Sequence, residues 1–178
     1  MKKWLYIIPL LIIIIFWQAV QIYQDSMSDQ KYWQNKAIAL AKEYVKDLRT
    51  INDVDYYHGT IAYNIVYGTN EKNEEIIVWV PYDTSNSKFI VKKSNEGWSK
   101  EKVKKYVIAN ENPLKLINIR LGAEVIKDHR TNKIETTPLW EVTYIDQENR
   151  YTYYFLKFVD GSFVKKYSLK KERFEEDI

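Results

Sequence analysis

An almost unbroken apolar run extends from Trp4 to Val20, with Leu10 to Phe16 at its centre and no charge before Asp25. Beyond Asp29 the pattern becomes amphipathic. Trp33, Ala37, Leu40, Ala41, Tyr44, Val45 and Leu48 recur at three- and four-residue spacing, which predicts a helix to about Leu48 with one apolar stripe. Its polar face mixes both charge signs, so packing on a core is favoured over lying on a membrane surface. The polar stretch Asp25-Ser26-Met27-Ser28-Asp29 is expected to break the chain and cap that helix.

After Asn52-Asp53 the period changes to two. Ile61, Tyr63, Ile65 and Tyr67 predict a strand, Gly68-Thr69-Asn70 a turn, and Ile76 to Val80 a β-branched second strand ended by Pro81. A third strand is expected at Lys88 to Lys93 and a turn at Asn95-Glu96-Gly97. The order then begins again. Ser99 is placed as an N-cap for a helix carrying Val103, Tyr106 and Val107, and Pro113 breaks it. A further helical turn or two is expected through Leu114, Ile117 and Ile119, ending at Gly122. Strands follow at 123–129, 139–145, 151–158 and 163–167, with reversals at Asp146 to Asn149 and at Asp160-Gly161.

The N-terminal run is read as a single transmembrane helix over residues 4–23, with residues 1–3 as its cytoplasmic tip. Trp4, Leu5, Ile8, Leu11, Ile14, Phe16 and Trp17 are its expected membrane-facing residues, and Lys2 and Lys3 set the N-terminus inside and the remainder outside. A cleaved signal peptide is the competing reading; the length of the run and the missing A-x-A spacing favour an uncleaved anchor. The two helix-then-strand stretches predict an α+β fold: that anchor, a unit at 29–97, a second at 98–169, and a charged tail at 170–178. They share one plan, with Phe89-Ile90-Val91-Lys92-Lys93 paralleling Phe163-Val164-Lys165-Lys166-Tyr167, and read as a duplication or as chance likeness of short strands.

Charge and composition remove several function classes. Of 27 Lys and Arg, setting aside Lys2 and Lys3 leaves 25 against 24 Asp and Glu, so the outer part offers no excess of positive charge for nucleic acid or anionic lipid. With Cys 0 there is no disulfide and no thiolate chemistry. His58 and His129 have no carboxylate at metal-helix spacing, and read as strand-end histidines. Ser99 and Lys102 have S-x-x-K spacing without S-D-N or K-T-G, and read as a cap and a surface lysine. No carboxylate pair separates acid from base roles. The expectation is a protein without catalytic residues, metal or cofactor. Its 15 tyrosines and its sheet edges are the material left for binding. In Tyr151 to Leu156 both alternating faces are large, so the strand should be covered on both sides, by the other half or by a partner, the other half being favoured.

The Lys-Lys start, the single anchor, Ala41-Lys42-Glu43-Tyr44-Val45 at the helix end, the paired helix-and-sheet units and Leu139-Trp140-Glu141-Val142 together resemble the TseB-like (YpmB) cell wall elongation regulators of Gram-positive bacteria. The resemblance covers nearly the whole chain and implies two PepSY-like, cystatin-like units outside the cell membrane. It also implies a non-enzymatic regulator that binds a class B penicillin-binding protein, the transpeptidase of elongation. Because PepSY units also resemble peptidase propeptides, the alternative it leaves is a peptidase inhibitor or secretion-associated chaperone. It supplies no catalytic or partner-binding residues.

Overall fold

The computed structural model describes residues 4–85, 87–127 and 133–170, without the side chains of 4–10 and 23–28. Helix α1 (Trp4–Tyr44) leads into four strands, β1 (Leu48–His58), β2 (Ala62–Asn70), β3 (Glu75–Pro81) and β4 (Ile90–Lys93). A 3-10 turn at Ser94–Glu96 and helix α2 (Lys100–Glu111) precede β5 (Lys115–Lys127), β6 (Ile134–Ile145), β7 (Tyr151–Lys157) and β8 (Phe163–Leu169). Each set of four strands forms an antiparallel meander in chain order. The protein is α+β.

The transmembrane segment expected at 4–23 is overturned: among the described residues no helix is long and apolar enough to cross a membrane. Gln18 and Gln21 interrupt the apolar run, and Asp25 and Asp29 follow in the same helix. Of the expected membrane-facing residues, Leu11, Ile14, Phe16 and Trp17 are exposed on α1, while the side chains of Trp4, Leu5 and Ile8 lie outside the described residues. The polar stretch at 25–29 does not break the chain either. Helix α1 passes through it, because Asp and Ser cost only a few tenths of a kcal/mol each in a helix and neither Gly nor Pro is present to stop it.

Two strands depart from the expected pattern for one reason. β1 begins where the expected helix ends and occupies a segment with no expected element, and β5 occupies the expected helical turns at 114–122. In β1 the register shifts between Leu48 and Thr50 and again between Ile51 and Asp53. These bulges bring Leu48, Ile51 and Val54 to one face at a spacing of three, which imitates a helix. In β5 a shift between Leu116 and Asn118 puts Leu116 and Ile119, also three apart, against the same core. The expected turn at 68–70 is strand as well. β2 runs on to Asn70, whose Oδ1 accepts from the N–H groups of Lys72 and Glu74 at 3.0 and 2.9 Å and so moves the reversal downstream.

Other expectations hold. Ser99 caps α2, its Oγ accepting from Lys102 N at 3.2 Å. The Asp160-Gly161 reversal places Gly161 at φ 70, the left-handed region glycine adopts without strain. Tyr154 and Phe155, adjacent and on opposite faces of β7, are both buried.

Two cores result. Ala37 and Ala41 are small enough to seat α1 closely on Val66, Ile76, Val78 and Val80. The opposite face of that first sheet carries Tyr63, Ile65, Ile77 and Trp79, which join Leu121, Leu139, Trp140 and Phe155 of the second sheet, Phe158 just past β7, and Val103 and Val107 of α2 in one cluster. The first sheet is therefore covered on both faces.

Candidate interaction cleft

Where the two sheets meet, an open cleft of about 470 Å³ remains. Its apolar floor comes from Ile77, Ile119, Leu121 and Phe158, and its aromatic wall from Tyr67, Trp98 and Trp140. Alternation along β1 turns Asp53 and Asp55 to the same side as Tyr57. Glu75 enters from the start of β3, and Lys100 and Glu101 from the first turn of α2.

Asp53 and Asp55 each accept, through Oδ1, from the next residue's N–H: Val54 N and Tyr56 N, both at 2.8 Å. β1 is an edge strand, and these carboxylates occupy donors that would otherwise be open to another chain. None of Asp53, Asp55, Glu75 and Glu101 takes part in an ion pair among the described residues. Burial, then Asp55 and then Asp53, push the Tyr67 phenol above its ordinary pKa, so it stays a neutral donor. Of the two cations in the cleft, Arg120 is engaged: Nε and Nη2 donate to Glu141 Oε1 at 2.9 and 2.7 Å. The cleft is thus apolar below and negative at its rim.

Beside it lies the polar junction between the sheets. Tyr57 donates from its hydroxyl to Glu124 Oε1 at 3.1 Å, and Thr60 Oγ1 donates to Glu124 Oε2 at 2.7 Å. Lys165 Nζ stands 3.6 Å from Glu124 Oε1, and the Arg120 guanidinium 5.3 Å from the centre of the Tyr57 ring. Burial first, and Glu124 next, raise the Tyr57 pKa well above its ordinary value. The junction is built from neutral donors and charges of both signs, and buries Glu124 without leaving it unpaired.

The residues singled out by sequence are elsewhere. His58 is exposed at the end of β1, its ring 6.4 Å from that of Tyr56. Ser99 borders the cleft as a helix cap, and Lys102 lies over the Trp98 ring with Nζ 4.2 Å from its centre. His129 lies outside the described residues. Among the described residues no group of three or more His, Asp or Glu side chains is placed to hold a metal ion. Sequence reading missed Asp53 and Asp55 because it placed no strand over their segment. Their i, i+2 spacing beside Tyr57 was the available signal.

The fold and the cleft define an α+β protein with a concavity between two antiparallel sheets. Residues 36–81 match the model of the cell wall elongation regulator TseB-like domain, which spans the end of α1 and the first three strands. The chain is 29% identical over 147 residues to the probable cell wall elongation regulator TseB of Bacillus subtilis (strain 168), covering 83% of this chain and 84% of that protein. The solved structure of the YpmB protein from Bacillus subtilis superposes with a TM-score of 0.65 at 30% identity, over 76% of this chain and 96% of that one. The chain belongs to the TseB-like family.

Proposed function

We propose that this protein regulates cell wall elongation in the cell envelope by binding a class B penicillin-binding protein, without catalysing a reaction itself. The observation that carries the reading is the extent of the likeness to the YpmB structure, which covers 96% of that chain and 76% of this one. The geometry is consistent with it. The described side chains around the cleft supply carboxylates, aromatic rings and a helix cap. The units at 29–97 and 98–169 would act as one body, since a single apolar cluster includes residues of both.

Crosslinking of the full-length protein in intact cells, followed by mass spectrometry, tests this. A class B penicillin-binding protein is the expected product, and loss of the protein should slow sidewall elongation. Recovery of a peptidase or an export substrate in its place would favour an inhibitor or chaperone role, and normal elongation without the protein would sink the regulatory reading.

A further inference from the structure

We infer that the cleft between the sheets receives a basic, extended segment of the protein partner, with Lys or Arg side chains entering between the Asp53–Asp55 wall and Glu101. The inference rests on the reading that the protein acts by binding another protein, and adds the surface and the chemistry of what fits it.

Charge is the first ground. Four carboxylates face the cleft without an ion pair among the described residues, against Lys100 and an Arg120 already committed to Glu141. Carboxylates left unpaired in the free protein favour a cationic ligand and repel a polyanionic one. The carboxylates are spread along a rim and do not converge: no group of three or more His, Asp or Glu among the described residues could hold a metal ion. A single ion is therefore a poor match, and charges spaced along a chain a good one.

Shape and surface agree. A volume of about 470 Å³ lies within the range of binding pockets, roughly 300–1,000 Å³, and the cleft is open to solvent. Lys and Arg carry apolar stems that suit the floor of Ile77 and Leu121, and aromatic rings accept their heads. Trp98 already takes such a contact from Lys102, which does not itself line the cleft and whose Nζ stands 4.2 Å from the ring centre. Backbone pairing is not available on the same wall, because Asp53 and Asp55 occupy the N–H groups of Val54 and Tyr56. At these two positions recognition through side chains is favoured over an added strand.

Two measurements on the full chain test the inference. In the first, the indole N–H signals of Trp98 and Trp140 are followed by NMR while an acetylated Lys-Ala-Lys-Ala-Lys peptide is added. Its Glu-Ala counterpart and a soluble peptidoglycan fragment serve as comparators. The lysine peptide alone should shift both signals, and salt should weaken it. D53N/E101Q should weaken it by about fivefold or more, whereas E43Q/E135Q, on exposed carboxylates away from the cleft, should not. Unmoved indoles, equal loss in both double variants, or preference for the peptidoglycan fragment would overturn the inference.

The second measurement uses the absence of cysteine, which makes any introduced thiol unique. Glu101→Cys at the rim and Ile108→Cys on an exposed part of α2 are crosslinked in cells. Capture through position 101 and not 108, mapped to a Lys- or Arg-bearing stretch of the partner, is expected. Capture only through 108 overturns the cleft while leaving the proposed function intact. Silence at both, and at thiols placed elsewhere on the surface, overturns the binding role itself.

Discussion

The indole N–H of Trp79, fully buried at the centre of β3, donates to the main-chain carbonyl of Gly122 on β5 at 3.0 Å. A side chain of the first sheet thereby holds the backbone of an edge strand of the second. The approach needs a glycine. A Cβ at position 122 would stand 2.4–2.6 Å from three ring carbons of Tyr57, whose hydroxyl is in turn tied to Glu124.

Trp79→Phe removes the donor and leaves the Gly122 carbonyl without this partner in a dry core. The lost bond and the smaller ring together should cost about 2–4 kcal/mol. Urea unfolding of the variant should show a lower midpoint at an unchanged slope.

Gly122→Ala should be destabilising although the backbone there is ordinary strand. The added methyl meets a rigid ring held at both ends, so overpacking of about 1–3 kcal/mol is expected. Combining it with Tyr57→Leu, which removes the ring, should recover part of that loss. A double-mutant cycle with no coupling between the two positions would contradict the account.

Ser99→Ala should cost about 1 kcal/mol through loss of the cap on α2, while Ser99→Asp should retain it. Thermal unfolding of the two variants gives the comparison. Equal stability in both would mean that the hydroxyl bond to Lys102 N contributes nothing.

Asp146 predicts an acid dependence. Partial burial pushes its pKa up, but donation from the Arg150 and Glu148 N–H groups, the Arg150 guanidinium and Thr152 Oγ1 outweighs it, and the carboxyl is held well below its usual range. A depressed folded-state pKa contributes stability that is complete above the unfolded value, about pH 4, and is lost as the pH falls below it. Asp146→Asn should therefore flatten the fall in stability below about pH 4, measured by urea titration across pH. A variant with the wild-type slope in that window would contradict the assignment.

Much of this fold is legible along the chain. β3 reads as a strand because Ile76, Ile77, Val78, Trp79 and Val80 are β-branched or aromatic throughout, and both of its faces are covered. Ser99 and Gly161 are local signals whose chemistry is complete within four residues. β1 and the first half of β5 were illegible because bulges turned an alternation of two into a spacing of three, and a bulge depends on its partner strand. The apolar N-terminal run read as a membrane span on hydropathy, but among the described residues no helix of the required length and apolarity is present. Beyond the i, i+2 spacing of Asp53 and Asp55, the cleft had no signal along the chain. Asp53, Glu75, Glu101 and Arg120 come from four separate elements, and only the packing of one sheet against the other brings them to a common rim.

That packing has a thermodynamic consequence. Trp79, Trp140 and Phe158 belong to one interior, with ring centres 5.8 Å apart for Trp79 and Phe158 and 6.4 Å for Trp140 and Phe158. Neither sheet can melt without wetting the rings of the other, so a sequence that reads as a repeat should unfold in one cooperative step. A ligand bridging the cleft would raise the melting temperature of both sheets together.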